Sequence, residues 1–221
     1  MENYGKMDIT TQEVEKRALL KESEYKEISK KLEKLGAKLT KKVNLIDVYF
    51  CPIKIRSFAE IEMNTIGSYS LRLREQKKDN NKEITLNVKV ITHEGDHNSW
   101  AEYETKVDSL ENMNNILKIL GFKPFCTINK FRVVYKLDDM EVSLEDITDF
   151  GLGIEVEIKT SLEKVKDAKT RINTLFKKLD ISSDQIVQKS LTNMIMAQKS
   201  KFIYSTEWFK TKYFKNIIHV F

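Results

Sequence analysis

Apolar and polar residues alternate along many short segments of this chain. Successive side chains of a β-strand point to opposite faces, so residues two apart share a face. In residues 71–74 (LRLR) and 155–158 (EVEI), the charged side chains therefore share one face and the aliphatic side chains share the other. The pattern predicts strands at about 12–20, 41–50, 68–77, 83–92, 99–107, 125–137, 139–147 and 153–159.

Segments with a helical apolar period lie between some of these strands. The first predicted helix ends at Gly36, because glycine readily adopts the left-handed conformation of a C-terminal cap. Either Asp108 or Ser109 is expected to cap the second helix at its N-terminus. A capping box of Thr160 and Glu163 is expected to begin the third helix.

A last helix is expected at about 184–200, which gives eight strands and four helices in all. An open sheet of eight strands would expose two edges, and closure removes them. We therefore expect an α+β fold, an eight-stranded, mainly antiparallel closed β-barrel with helices packed outside. Its interior would be ionic and open to solvent and ligand. The alternative is that the charged residues form a solvated outer face.

The composition of the chain is consistent with one sizeable domain. The 221 residues are 41% hydrophobic and 32% charged, with a net charge of +5. We expect a flexible tail at 1–11, a single domain at 12–200 and an aromatic, basic, helical extension at 201–221. Packing of this extension on the barrel or on a second subunit of a homodimer is favoured over contact with nucleic acid or a membrane surface. No DNA partner is expected.

The cysteine content indicates a reducing compartment. Cys51 and Cys126 are the only cysteines, and neither belongs to a CxxC pair. No signal peptide and no run of ~18 apolar residues, the length of a membrane-spanning helix, is found. We expect a cytoplasmic protein without a membrane span.

The carboxylates on the charged faces form the first candidate site. Two carboxylates about 5 Å apart repel by roughly 3 kcal/mol at an effective dielectric constant near 20. Protonation, neighbouring cations or a bound divalent metal would relieve this repulsion, and oxygen ligands favour Mg²⁺ or Mn²⁺ over zinc. The candidate metal ligands are Glu13, Glu15, Glu102, Glu104, Glu145, Glu155 and Glu157.

Arginines and lysines on the same faces form the second candidate site. A guanidinium group presents a planar fork of donors that matches phosphate oxygens. Cations that face carboxylates, with metal between them, suit a polyphosphate. The candidate triphosphate-binding residues are Arg17, Arg72, Arg74, Lys89, Lys130 and Arg132. Ordinary cross-strand ion pairs are the alternative for each of them.

Two further sequence patterns contain residues that could take part in a site. Residues 93–97 (HEGDH) match the HExxH motif of zinc proteases, which requires a helix. We reject the motif, because Gly95 and Asp96 favour a turn between strands. Asp47 and Tyr49 lie in a predicted strand, and the sequence allows either face of the strand for them.

The order of these segments resembles the CYTH superfamily, the triphosphate tunnel metalloenzymes. The resemblance runs from about residue 12 to 195 and includes Lys89 and the segments 13–17 (EVEKR), 47–50 (DVYF), 58–60 (FAE), 71–74 (LRLR), 102–104 (EYE), 120–122 (LGF), 130–135 (KFRVVY), 150–151 (FG) and 155–157 (EVE). Segments 32–37, 117–124 and 127–130 look most like the class IV adenylyl cyclase branch.

The resemblance implies a tunnel whose cations bind a triphosphate and whose glutamates hold one or two Mg²⁺ or Mn²⁺ ions. We assign catalytic roles to Glu15, Glu157 and Arg132 on this basis. The expected activity is conversion of ATP to cyclic AMP and pyrophosphate. The alternatives are hydrolysis of thiamine triphosphate, tripolyphosphate or a nucleoside triphosphate (including an RNA 5′-triphosphate), and non-catalytic binding of a polyphosphate or nucleotide.

The chain departs from the family pattern at four positions. Arg17 replaces a usual lysine, and Trp100 stands where a basic residue often precedes the paired glutamates. Glu145 replaces a usual aspartate, which leaves open whether Glu145 or Asp146 reaches the metal. Leu191 replaces a common tyrosine.

Overall fold

The computed structural model describes residues 12–57, 60–61, 65–91 and 99–199. The two predicted terminal segments, the HEGDH sequence and part of segment 58–60 lie outside these ranges. The chain divides into two compact units between Gln188 and Lys189. The first unit contains the barrel, and the second contains a helix at 191–199, named α4 here.

Nine strands and three longer helices make up the described part of the first unit. The strands are β1 (Gln12–Leu20), β2 (Lys38–Pro52), β3 (Tyr69–Lys78), β4 (Asn81–Ile91), β5 (Ser99–Lys106), β6 (Phe122–Leu137), β7 (Met140–Ile147), β8 (Gly151–Thr160) and β9 (Ile186–Val187). The helices are α1 (Glu22–Lys34), α2 (Leu110–Ile119) and α3 (Val165–Lys178).

The first eight strands close into an antiparallel barrel, which confirms the predicted fold. Their order is β5-β4-β3-β2-β6-β7-β8-β1, and β1 pairs with β5 to complete the ring. Glu13 lies opposite Trp100 at this closing contact. Further along β1, Arg17 and Ala18 pair instead with the short strand β9. Strand β1 therefore pairs with β8 along its full length and shares its other edge between two strands.

Apolar side chains on the outer face of the barrel pack against helices. One cluster joins Val14, Val142 and Val156 on the strands to residues of α1 and α3, such as Leu32 and Phe176. A second cluster joins β2, β3 and β4 to α2 through buried residues that include Phe50, Leu71, Leu73, Ile84 and Leu117. Because these residues alternate with the charged ones, the outer packing turns the charged rows inward.

Two of the predicted helix starts are wrong. No side-chain capping bond begins α3, which follows a short 3₁₀ turn at Leu162–Lys164. The last helix begins at 191, not 184, because a second 3₁₀ turn and β9 occupy the preceding residues. By contrast, Gly36 has a φ of +88° and forms the expected helix end, with the Ala37 amide donating to the Leu32 carbonyl.

Strands β2 and β6 are longer than the alternation predicted. They pair from Lys38 with Lys136 to Pro52 with Phe122, with irregularities near Thr40 and Phe50. These register shifts interrupt the strict period of two, so the sequence pattern alone shows only the regular central part. None of the described helices has the length and apolarity needed to cross a membrane.

Candidate functional site

The interior of the barrel, called the bore here, is lined by the charged residues of the alternating strands. Side chains of residues paired across an antiparallel ladder point to the same face. Glu15 lies opposite Glu157 and Arg17 lies opposite Glu155 between β1 and β8. Arg132 lies opposite Glu145 between β6 and β7. The charged side chains of these four strands therefore share the interior face of the barrel.

One part of the bore is rich in cations and is called the cationic group here, namely Arg17, Arg72, Arg74, Lys130 and Arg132. Three carboxylates, Asp47, Glu145 and Glu155, pair with them. Five cations against three carboxylates leave two positive charges uncompensated within this set. Such a surplus attracts an anionic ligand.

Glu145 is the most heavily paired carboxylate of the cationic group. It is fully buried, and it accepts from Arg17, from Lys130 Nζ at 2.9 Å and from Arg132 Nε at 2.9 Å. Burial opposes ionisation, but the three cations outweigh it and hold the pKa of Glu145 well below its usual range. Glu155 accepts from Arg17 and from Arg132 Nη2 at 2.8 Å. The two carboxylates thus fix both guanidinium planes.

Asp47 anchors the other side of the cationic group. Its oxygens accept from Arg74 Nε at 2.6 Å and Arg74 Nη2 at 2.9 Å, a bidentate pair. Lys130 Nζ lies 3.5 Å from it and Arg72 Nη1 lies 3.9 Å from it. Burial lowers the pKa of Lys130 to about 8, although Glu145 and Asp47 oppose the change.

Arg72 has the longest ion-pair distance to a carboxylate among the cations of the group. Its closest carboxylate, Asp47, is 3.9 Å away, and its Nε is buried with no hydrogen-bond partner in the described parts of the chain. A buried N–H without an acceptor is unfavourable, so this atom is suited to receive a ligand oxygen.

A second part of the bore is rich in carboxylates and is called the acidic group here, namely Glu13, Glu15, Glu102 and Glu157. Lys89 Nζ donates to Glu13 and, at 2.6 Å, to Glu15. Asn87 Nδ2 donates to Glu102 at 2.5 Å. Lys159 Nζ lies 3.5 Å from Glu102 and 3.9 Å from Glu157. The set carries an excess of negative charge when all of its carboxylates are ionised.

The crowding of the acidic group shifts the pKa of each member. Burial raises the pKa of Glu13 to about 11, with Lys89 opposing and Glu102 and Glu15 adding to the rise. Burial and the charges of Glu155 and Glu15 raise the pKa of Glu157 to about 7, again against Lys89. Burial acts in the same direction on Glu15 and Glu102, but Lys89 and hydrogen bonds outweigh it and lower each pKa to about 2.

The donor chemistry of the acidic group fits Mg²⁺ or Mn²⁺, because all of its ligands are carboxylate oxygens. Within the described ranges, however, no three acidic, histidine or cysteine side chains converge as a ready-made metal site. The Lys89 ammonium stands between Glu13 and Glu15, where it takes the place of a cation. A metal ion would therefore bind with displacement of Lys89.

The structure divides the predicted metal ligands between different surroundings. Four of them form the acidic group, whereas Glu145 and Glu155 pair with arginines. Glu104 is exposed and accepts from Thr85 at 3.4 Å. Asp146 is exposed and alternates with the buried Glu145, so Glu145 is the residue that faces the bore.

Several residues of the bore are not among the predicted site residues. Asn87 and Lys159 contact the acidic group, and each lies two positions from a predicted site residue. The alternation could have identified both. The alternation does not decide the direction of Asp47, and in the structure Asp47 points inward together with Tyr49. Trp100, opposite Glu13, has a buried indole Nε1 without a hydrogen-bond partner in the described part of the chain.

The sequence matches the CYTH domain family over residues 11–191. A Methanocaldococcus jannaschii protein named as a putative adenylate cyclase is 34% identical over 164 residues, which cover 74% of this chain and 87% of the relative.

Solved structures share the fold of this chain. A Pyrococcus horikoshii protein superposes with a TM-score of 0.70 at 19% identity, covering 84% of this chain and 99% of the other. A Vibrio parahaemolyticus protein named as a putative adenylate cyclase superposes with a TM-score of 0.66 at 16% identity, covering 83% and 97%. At these identities, the superpositions support the barrel alone.

Proposed function

Because this chain belongs to the CYTH domain family, we propose that it is a metal-dependent enzyme of the class IV adenylyl cyclase type. It would bind ATP in the bore and convert it to cyclic AMP and pyrophosphate. The name of the Methanocaldococcus jannaschii relative favours this reaction over the other triphosphate reactions.

The observation that carries the proposal is the adjacency of a cationic and an acidic group inside one closed barrel. The cationic group has a surplus of positive charge and includes Arg72, whose Nε is buried and unpartnered in the described residues. Lys89 contacts the acidic group, and it lies close enough to Arg72 for the charge of Arg72 to oppose the rise in the Lys89 pKa. A triphosphate with a divalent cation complements both groups at once.

The bound substrate would be held by its phosphate oxygens. Arg72, Arg74, Lys130 and Arg132 would bind the phosphoryl groups, with Arg17 and Lys89 at the borders of the site. Because Glu145 and Glu155 fix the planes of Arg17 and Arg132, little reorganisation would be needed as charge develops on the leaving group.

In the reaction, the ribose 3′-oxygen forms a bond to the α-phosphorus. The bond from that phosphorus to the oxygen bridging to the β-phosphorus breaks, and pyrophosphate leaves with the electron pair. The hydroxyl proton passes to a carboxylate of the acidic group, and Arg132 binds the departing pyrophosphate. Bound at Glu13, Glu15, Glu102 and Glu157, Mg²⁺ or Mn²⁺ would supply the Lewis acidity that makes the hydroxyl a better nucleophile.

Product analysis separates the cyclase from a triphosphatase, which would use the same bore with water attacking the terminal phosphorus. Purified protein is incubated with ATP, thiamine triphosphate or tripolyphosphate and with Mg²⁺ or Mn²⁺, and the products are resolved by ion exchange. Cyclic AMP with pyrophosphate supports the proposal. ADP or orthophosphate shows a triphosphatase, and tight binding without turnover shows a binding protein.

Substitutions in the acidic group test the role of its carboxylates. Glu15→Ala and Glu157→Ala are expected to lower metal-dependent turnover by at least about a hundredfold while the barrel stays folded. The matched control is Glu75→Ala, because Glu75 is also buried but lies on the outer face with Lys77 and Lys82. Full activity of either bore variant, measured with the same product assay, would contradict the metal assignment.

A further inference from the structure

Trp100 presents a buried hydrogen-bond donor that nothing in the described chain satisfies. The residue is 8% exposed, and its indole Nε1 has no hydrogen-bond partner among the described residues. Of the buried side-chain nitrogens and oxygens described, only Arg72 Nε shares this condition. Leaving such an N–H without an acceptor is costly, so an oxygen of water or of a ligand is expected to accept from it.

The direction of the Trp100 side chain follows from the strand register. Trp100 lies two residues before Glu102 on β5, so both side chains share a face. It also lies opposite Glu13 across the β1–β5 ladder and opposite Ile91 across the β4–β5 ladder. Residues directly opposite in a ladder have Cβ atoms about 5 Å apart. The indole therefore borders the bore beside the acidic group.

The charge around Trp100 decides which ligand atom suits it. Glu13 and Glu102 are its acidic neighbours, because Glu13 lies opposite it across the β1–β5 ladder and Glu102 lies two residues along the same strand. A phosphoryl oxygen only accepts hydrogen bonds, so it cannot pair directly with a carboxylate oxygen without a bridging cation or proton. A hydroxyl group fits better, because it can accept from the indole N–H while donating its own proton to a carboxylate.

We propose that Trp100 is a specificity residue whose indole N–H donates to a hydroxyl group on the sugar of a nucleoside triphosphate. The inference rests on the proposed function of the bore and adds which part of the ligand lies beside β5. Phosphoryl groups bind at Arg72 and the cationic group, and the sugar lies toward Trp100. The chain therefore prefers triphosphates that carry a sugar over inorganic tripolyphosphate.

The variant that isolates the hydrogen bond is Trp100→Phe, which keeps an aromatic ring and removes the N–H. Dissociation constants are measured by calorimetry for ATP, 2′-deoxy-ATP, 3′-deoxy-ATP and tripolyphosphate, with Ca²⁺ as the divalent cation. Ion exchange afterwards verifies that each ligand is intact. Trp100→Phe is expected to weaken ATP binding about fivefold and to leave tripolyphosphate binding unchanged.

The deoxy ligands provide the same test without any substitution. One of them is expected to bind the wild type about fivefold more weakly than ATP and to lose no further affinity in Trp100→Phe. The control variant is Tyr103→Phe, which removes a hydroxyl group from the exposed outer face of the same strand and should leave all four affinities unchanged.

The outcomes separate this inference from the proposed function. Equal losses of affinity for ATP and tripolyphosphate in Trp100→Phe, or no loss for either ligand, would overturn the proposed role of Trp100. In both cases, binding of tripolyphosphate would still support the bore as a triphosphate site. If the wild type binds none of the four ligands, the proposed function fails together with the inference.

Discussion

The charged neighbours of a buried carboxylate in the bore decide whether its pKa is lowered or raised, because burial by itself raises the pKa of every carboxylate. Glu145 and Asp47 are both fully buried and carry pKa values held well below the usual range by several cations, against the opposing effect of burial. Glu13 is nearly as buried, but it shares Lys89 with Glu15 and its pKa rises. The same residue type is therefore stable as an anion at one position and unfavourable at another.

Glu145 and Asp146 form a matched pair for substitution. Glu145→Gln removes the charge that pairs with Arg17, Lys130 and Arg132 and is expected to lower the free energy of unfolding by about 3 kcal/mol or more. Asp146→Asn changes an exposed neighbour on the outer face and should have an effect within about 0.5 kcal/mol. Urea denaturation measures both. Similar effects of the two substitutions would contradict the assignment of Glu145 to the bore.

Glu13→Gln is expected to stabilise the metal-free protein. The raised pKa of Glu13 means that ionisation of this carboxyl group is unfavourable in the folded chain. The contribution of Glu13 to the free energy of unfolding therefore declines as the pH rises above the pKa that Glu13 has in the unfolded chain. A neutral amide removes this penalty and should raise the melting temperature near neutral pH by about 2–4 °C in EDTA.

The same variant should lose most of the stabilisation that Mg²⁺ gives to the wild type, because a candidate metal ligand is missing. Glu75→Gln serves as the control, since it alters an outer carboxylate with a lowered pKa and should not raise the melting temperature. A lower melting temperature of Glu13→Gln in EDTA would oppose the interpretation.

At the scale of elements, the sequence predicted strands and helices well where local chemistry decided them. Regular alternation located the eight barrel strands, and Gly36 correctly predicted the end of α1. The short strand β9 could not be found, because its two residues form a strand only by pairing with β1. The expected capping box at Thr160 failed since a 3₁₀ turn precedes α3. Thr160 is instead the last residue of β8 and pairs with Gln12 of β1, so long-range pairing decided both cases.

The sequence does not decide which of Asp108 and Ser109 caps the N-terminus of α2. The Ser109 hydroxyl accepts from the Asn112 amide at 3.1 Å, so Ser109 is the N-cap. Ser109→Ala is expected to lower the free energy of unfolding by about 1 kcal/mol, whereas Asp108→Ala should change it little. Thermal denaturation of both variants provides the measurement. A larger effect at Asp108 would show that the cap was assigned to the wrong residue.

At the scale of the whole molecule, ring closure gives the charged rows a common interior. The alternation predicted which residues share a face, but an outer solvated face remained an alternative because strand order is not encoded locally. The charged residues lie in the interior, because β1 pairs with β5 to close the barrel and the helices α1, α2 and α3 pack on its outer face. The division of that interior into a cationic and an acidic group could not be predicted, since it depends on the stagger of strands around the barrel.

The most direct test of the account is a crystal structure of the protein grown with Mn²⁺ and tripolyphosphate, with anomalous scattering used to locate the metal. We predict a Mn²⁺ ion in the bore bonded to at least two of Glu13, Glu15, Glu102 and Glu157, with Lys89 displaced. Phosphate oxygens should contact Arg72 and Arg132. Metal and triphosphate bound on the outer surface, with the bore ion pairs unchanged, would contradict the account.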